Sequence, residues 1–92
     1  MIVHTVGTDT HREYEWSTVG DEPITVRSAV FTIDGDVVDL LDLSGDYPIA
    51  LHIPADHAID AGVYTSRISA VDDANGDTSD IAAGVLRVRT IP

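Results

Sequence analysis

Oxygen donors alternate along Asp73-Ala74-Asn75-Gly76-Asp77-Thr78-Ser79, so that Asp73, Asn75, Asp77 and Ser79 could together face a cation. Calcium takes about six to eight oxygens, and loops supply them at this spacing. Here the glycine stands fourth in the segment, not sixth, and Gly84 occupies the twelfth place, where a bidentate glutamate would be needed. Asp, Asn and Gly in this order are also good turn formers. The segment is therefore read as a solvated hairpin turn, with those four residues as the calcium candidates. His52 and His57 flank Pro54 and Asp56, and two imidazoles with a carboxylate could hold zinc. Their separation of five across a proline suits neither a helix face nor one side of a strand, and His4 and His11 stand in no closer relation. All four histidines are expected on the surface. Hydrolysis would need a nucleophile, a base and an oxyanion hole. The chain has no Gly-x-Ser-x-Gly elbow, no glycine-rich phosphate loop and no cysteine. Carboxylates are so abundant that no pair stands out. No catalytic residue and no cofactor is assigned, and no enzymatic activity is expected. Tyr14 and Trp16 could stack on a sugar face, but packing the only tryptophan into the core is the better use of it.

The scaffold that carries these residues is small. A chain of 92 residues fits one domain, residues 1–92. A domain of this length buries only about 60–65% of its unfolded surface, so a partner, an ion or the solvent should supplement its core. Without cysteine, no disulfide can do so. No apolar run approaches the roughly 20 residues that span a bilayer. The opening Met-Ile-Val-His-Thr-Val lacks the basic and apolar regions of a signal peptide, and none is expected.

Charge is the most unusual feature. Sixteen acidic residues, thirteen of them aspartate, face five arginines and no lysine, for a net charge of −11. Such a field repels phosphates, so neither nucleic acid nor a membrane is expected as a partner. It also destabilises the compact state at low ionic strength, a cost relieved at molar salt, where the Debye length is about 3 Å. In composition the chain resembles proteins of extreme halophiles and their viruses.

Val, Ile and Thr are abundant, no window carries a helical stripe, and Gly, Asp, Asn and Pro clusters punctuate the chain at short intervals. This spacing predicts strands over residues 2–6, 13–19, 24–33, 37–43, 48–53, 63–71 and 81–90. Turns are predicted at Gly20-Asp21-Glu22-Pro23, Asp34-Gly35-Asp36 and Ser44-Gly45-Asp46, a loop over 54–61, and a bulge near Gly84. The fold class is all-β, an immunoglobulin-like β-sandwich of six to seven strands.

Asp60-Ala61-Gly62-Val63-Tyr64 carries that assignment. Asp-x-Gly-x-Tyr entering a late strand matches the tyrosine corner of immunoglobulin-like sandwiches, in which the Tyr hydroxyl bonds back to upstream backbone. Asp60, Gly62 and Tyr64 are its structural residues. Residues 36–45, 49–53 and 62–88 together resemble small immunoglobulin-like domains of tailed-virus structural proteins, the N-terminal domain of the phage baseplate upper protein being the nearest pattern. The likeness spans about residues 24–89 and leaves out the first 20. It implies a non-enzymatic virion component, for capsid decoration or tail and baseplate assembly, docked on capsid or tail subunits or on itself. Val37, Val38, Leu40, Leu41 and Leu43 are apolar on both faces of one expected strand, where a two-layer fold needs one, and are the interface candidates. The alternative is an extracellular or cell-surface module that binds protein or carbohydrate.

Overall fold

Segments in which β-branched or aromatic residues alternate with polar ones form eight strands among the described residues. The computed structural model describes residues 1–17, 20, 24–45 and 47–91. In chain order the strands are β1 (Ile2–Thr5), β2 (Thr10–Tyr14), β3 (Val26–Ile33), β4 (Asp36–Val38), β5 (Leu41–Asp42), β6 (Ile49–Ile53), β7 (Gly62–Asp72) and β8 (Thr78–Arg89). The described residues contain no helix, and so none long and apolar enough to cross a membrane.

One sheet has the order β1-β8-β7-β3-β4 and the other β2-β6-β5. All neighbours are antiparallel except β1, which runs parallel to β8 with Ile2 opposite Leu86 and His4 opposite Val88. The inner positions of both sheets meet in one core. Ile2, Phe31, Ile33, Ile68, Ala70, Leu86 and Val88 come from the larger sheet, and Ile49, Leu51 and Ile53 from the smaller. Tyr14 and Trp16 are half-buried against that core, which is where the tryptophan was expected.

The β3–β4 hairpin turns on Asp34 (φ 51°) and Gly35 (φ 87°), both in the left-handed region that a two-residue hairpin requires. The Asp34 carboxylate accepts the Thr65 amide at 2.7 Å and the Thr65 hydroxyl at 3.0 Å, while the Asp34 amide donates to the Thr65 carbonyl at 2.8 Å. This offsets the cost of a non-glycine residue at positive φ.

The apolar stretch 37–43 is two strands on two sheets, not one. The chain leaves the larger sheet after Val38 and joins the smaller at Leu41. The Leu40 carbonyl accepts the His52 amide at 3.0 Å on the way. A segment that changes sheets must present apolar groups on both of its sides to reach a single core. Val38, Leu40 and Leu41 pack on the core, whereas Val37 (72% exposed) and Leu43 (41%) face out.

Other boundaries also move. The second strand is 10–14 instead of 13–19, and residues 54–61 form the expected loop. The bulge falls at Ile81, where Ile68 pairs with Ala82 and Ser69 with Asp80, not at Gly84. Thr18, Val19, Asp21, Glu22 and Pro23, which the second strand and first turn were expected to include, lie outside the described residues, as do Asp46 and Pro92.

Candidate functional site

His11 and His52 are opposite one another in the β2–β6 pairing. Thr10 and Tyr14 on one strand, and Leu51 and Ile53 on the other, point into the core, so strand alternation turns both histidines outward. Their rings are stacked, with centroids 4.2 Å apart and planes within 7°. Gly7 (φ 90°) turns the chain out of β1, and its amide donates to the Ala55 carbonyl at 3.1 Å. Asp9 follows in the same loop. One of its carboxylate oxygens accepts the Ala55 amide at 2.9 Å and lies 3.4 Å from His52 Nε2. The Ala55 hydrogen bond, seconded by His52, holds the Asp9 carboxyl below the usual aspartate range. Two imidazoles and an ionised carboxylate thus stand together on the outer face of the smaller sheet, a donor set suited to a proton or a metal ion.

His4 lies on the inner side of the same end. Its side chain is inaccessible, contrary to the expected surface position, because β1 alternates Ile2 and His4 inward. Nδ1 shares a 2.8 Å hydrogen bond with the buried Thr10 hydroxyl, and Nε2 has no partner among the described residues. Burial lowers its pKa from the ordinary 6.5; nearby His57 lowers it further, and Asp9 acts in the opposite sense.

Two of the four calcium candidates, Asp73 and Asn75, engage their side-chain oxygens in protein contacts. The Asp73 carboxylate receives Arg27 Nε at 3.3 Å, and the Asn75 side-chain oxygen receives the Asp77 amide at 2.9 Å. The Gly76 amide donates to the Asp72 carbonyl at 2.8 Å, and Ser79 stands in β8 opposite Ala70. These contacts build the hairpin turn that the residue types favour. At the start of β7 the Tyr64 hydroxyl donates to the Asp60 carbonyl at 2.6 Å. A Cβ on Gly62 would lie 3.6 Å from that hydroxyl, in ordinary contact with the ring. His57 and Asp56 do not join His52; the Asp9–His11–His52 group is the one that the fold assembles among the described residues.

Two further surfaces stand out. Among outward positions of the larger sheet are Val30 (41% exposed), Val37, Val63 (71%) and Val85 (36%), together with Thr32, Thr65, Arg67 and Arg87. Asp80, opposite Ser69, lies 3.6 Å from Arg67. At one end of the molecule Trp16, Val26, Leu43, Tyr47 and Pro48 line a cleft of about 640 Å³.

No protein-family model, curated protein or solved structure matches the chain.

Proposed function

We propose that the protein is a non-enzymatic assembly module with an immunoglobulin-like sandwich, a decoration or tail component of a tailed-virus particle whose composition suits a halophilic host. Two observations favour the immunoglobulin-like reading. The strand orders β8-β7-β3 and β2-β6-β5 correspond to G-F-C and B-E-D of that fold; β4 takes the C′ place of the variable type, and β1 adds to the free edge of β8. Tyr64 stands near the start of β7, the F position, with its hydroxyl tied back to Asp60. Trp16 packs on the core but follows β2 instead of standing on β3, the C position, and no disulfide flanks it, so the domain is not of the antibody type.

The single observation that carries the docking role is the outer face of the five-stranded sheet. In a chain of net charge −11 that face is built mainly from Val, Thr and Arg. A face of valines and threonines with arginines set among them, on a molecule otherwise repelled by its neighbours, suits a protein contact. The mechanism is docking of Val30, Val37, Val63 and Val85 onto a neighbouring subunit, while the acidic remainder stays solvated in brine. Molar salt screens the repulsion and strengthens apolar burial if the anion is kosmotropic. Many copies on one lattice make a weak single contact sufficient.

Light scattering and circular dichroism in molar KCl and in dilute buffer test this reading. The expected result is concentration-dependent association in KCl that Val37→Asp with Val63→Asp abolishes without changing the dichroism. A monomer equally folded in both solvents overturns it. The alternative, an extracellular binding module for protein or carbohydrate, then gains weight from the Trp16–Tyr47 cleft. Oligosaccharide titration followed by tryptophan fluorescence would test that second reading.

A further inference from the structure

We propose that Asp9, His11 and His52 bind a divalent metal ion of borderline softness, with Zn²⁺ as the natural probe. One donor atom from each residue lies within 4.8 Å of the others. Donors around tetrahedral zinc are separated by about 3.3 Å at metal–ligand distances near 2.05 Å. Asp9 and His52, 3.4 Å apart, already meet that spacing. The remaining adjustment falls on His11. A metal lies in the plane of each imidazole that binds it, and two rings stacked face to face cannot both aim a nitrogen at one ion. Binding therefore unstacks the pair. The His11 ring is exposed, and rotation about its outer torsion is soft.

Two features make this a built arrangement. The paired backbones of β2 and β6 fix the histidines at directly opposed positions, and sites on strands hold their geometry better than sites on loops. Asp9 is oriented by the Ala55 amide, itself tied across the loops by the Gly7–Ala55 bond. Two nitrogens and one oxygen favour zinc, copper or nickel over calcium or magnesium, which require mostly oxygen ligands. Solvent completes the coordination. The bound ion ties the β1–β2 loop to both strands, a cross-link in a small domain that has no disulfide.

The general acidity of the chain attracts every divalent cation, so the test separates site from field. Untagged protein is titrated with ZnCl₂ and, in parallel, with CaCl₂, and followed by calorimetry and by NMR of the histidine ring protons. One zinc ion per chain is expected, moving the His11 and His52 signals, leaving those of His4 and His57 in place and raising Tm. Calcium moves none of them. His11→Ala and His52→Ala each weaken zinc binding on the order of a hundredfold or more, since loss even of an outer-shell partner costs about 10–100-fold. Asp9→Asn weakens it less. Zinc affinity unchanged in His11→Ala, or zinc and calcium producing the same weak shifts, overturns the proposal. Both histidines are exposed, so the alanine variants are expected to keep the wild-type dichroism, which is checked first.

Discussion

The two sheets share one core and differ on their outer faces. The smaller sheet turns His11, Glu13, Asp42 and His52 to solvent, while the larger turns out valines, threonines and arginines. Burial explains the likeness of the inner faces, since both fill the same space with Ile, Leu, Val and Phe. It does not explain the outer faces, where alternation requires only something soluble. A chain with thirteen aspartates that keeps most of them off one broad sheet has segregated its charge. On the two proposals made above, the faces would take different partners, a protein surface for one and a cation for the other.

The largest effect tests the shared interior. Leu51→Ala from the smaller sheet and Ile68→Ala from the larger should each cost about 2–5 kcal/mol, because both side chains are fully buried. Urea unfolding monitored by dichroism should remain a single transition in both. Separate transitions would show two sheets that merely touch.

Next comes pH, which acts beneath the histidine face. The folded-state pKa of His4 is lowered from 6.5, so above that value neither state gains a proton there and the fold keeps its full stability. As pH falls below 6.5 the unfolded chain binds the proton first, and stability declines until the folded-state value is reached. His4→Leu should flatten this decline in unfolding curves taken across the range. Asp9 and Asp42 act lower down. Asp9 is depressed chiefly by the Ala55 amide and Asp42 by the Ser44 hydroxyl, so their contribution is present above 3.8 and is lost as pH falls through their folded-state values.

Asp34→Ala tests the corner of the valine face. It removes a residue suited to positive φ and the bonds to Thr65, for a loss of about 1–2 kcal/mol by chemical denaturation. Asp34→Gly, which keeps the backbone freedom, should lose less. The smallest stability effects belong to the faces themselves. Val63→Asp and Glu13→Arg should each stay within about 0.5 kcal/mol of wild type, as exposed substitutions do. Only Val63→Asp should reduce association in molar KCl.

Sequence periodicity located the strands best where alternation was complete. Tyr64, Ser66, Ile68 and Ala70 inward, with polar or exposed residues between, defined β7, and Leu86 and Val88 defined the end of β8. The Asp-Gly turn was equally legible because its φ requirement is local. The break between β4 and β5 was not, since an apolar stretch looks the same whether it stays in one sheet or crosses between two. The histidine pair was hidden for another reason. Its members are distant in sequence and meet only through the β2–β6 register, a tertiary fact. A signal was present all the same. Thr10-x-Arg12-x-Tyr14 and Ile49-x-Leu51-x-Ile53 set the phase of both strands and leave His11 and His52 on the other side. A strand begun at Glu13 leaves His11 outside the pairing.

The parallel seam between β1 and β8 has a consequence for the order in which the molecule forms. Thr5 and Arg89, joined by a side-chain bond of 2.9 Å, are 84 positions apart, whereas β7 and β8 meet across a short turn. Closing the long loop first would cost about 2 kcal/mol more chain entropy than closing the hairpin. The β7–β8 hairpin is thus placed to nucleate, and β1 to zip on last, once its docking edge exists. Read backwards, β1 is the first strand to let go. Its departure would bare the outer edge of β8 and draw Ile2 and His4 out of the interior, while the β7–β8 hairpin stays paired.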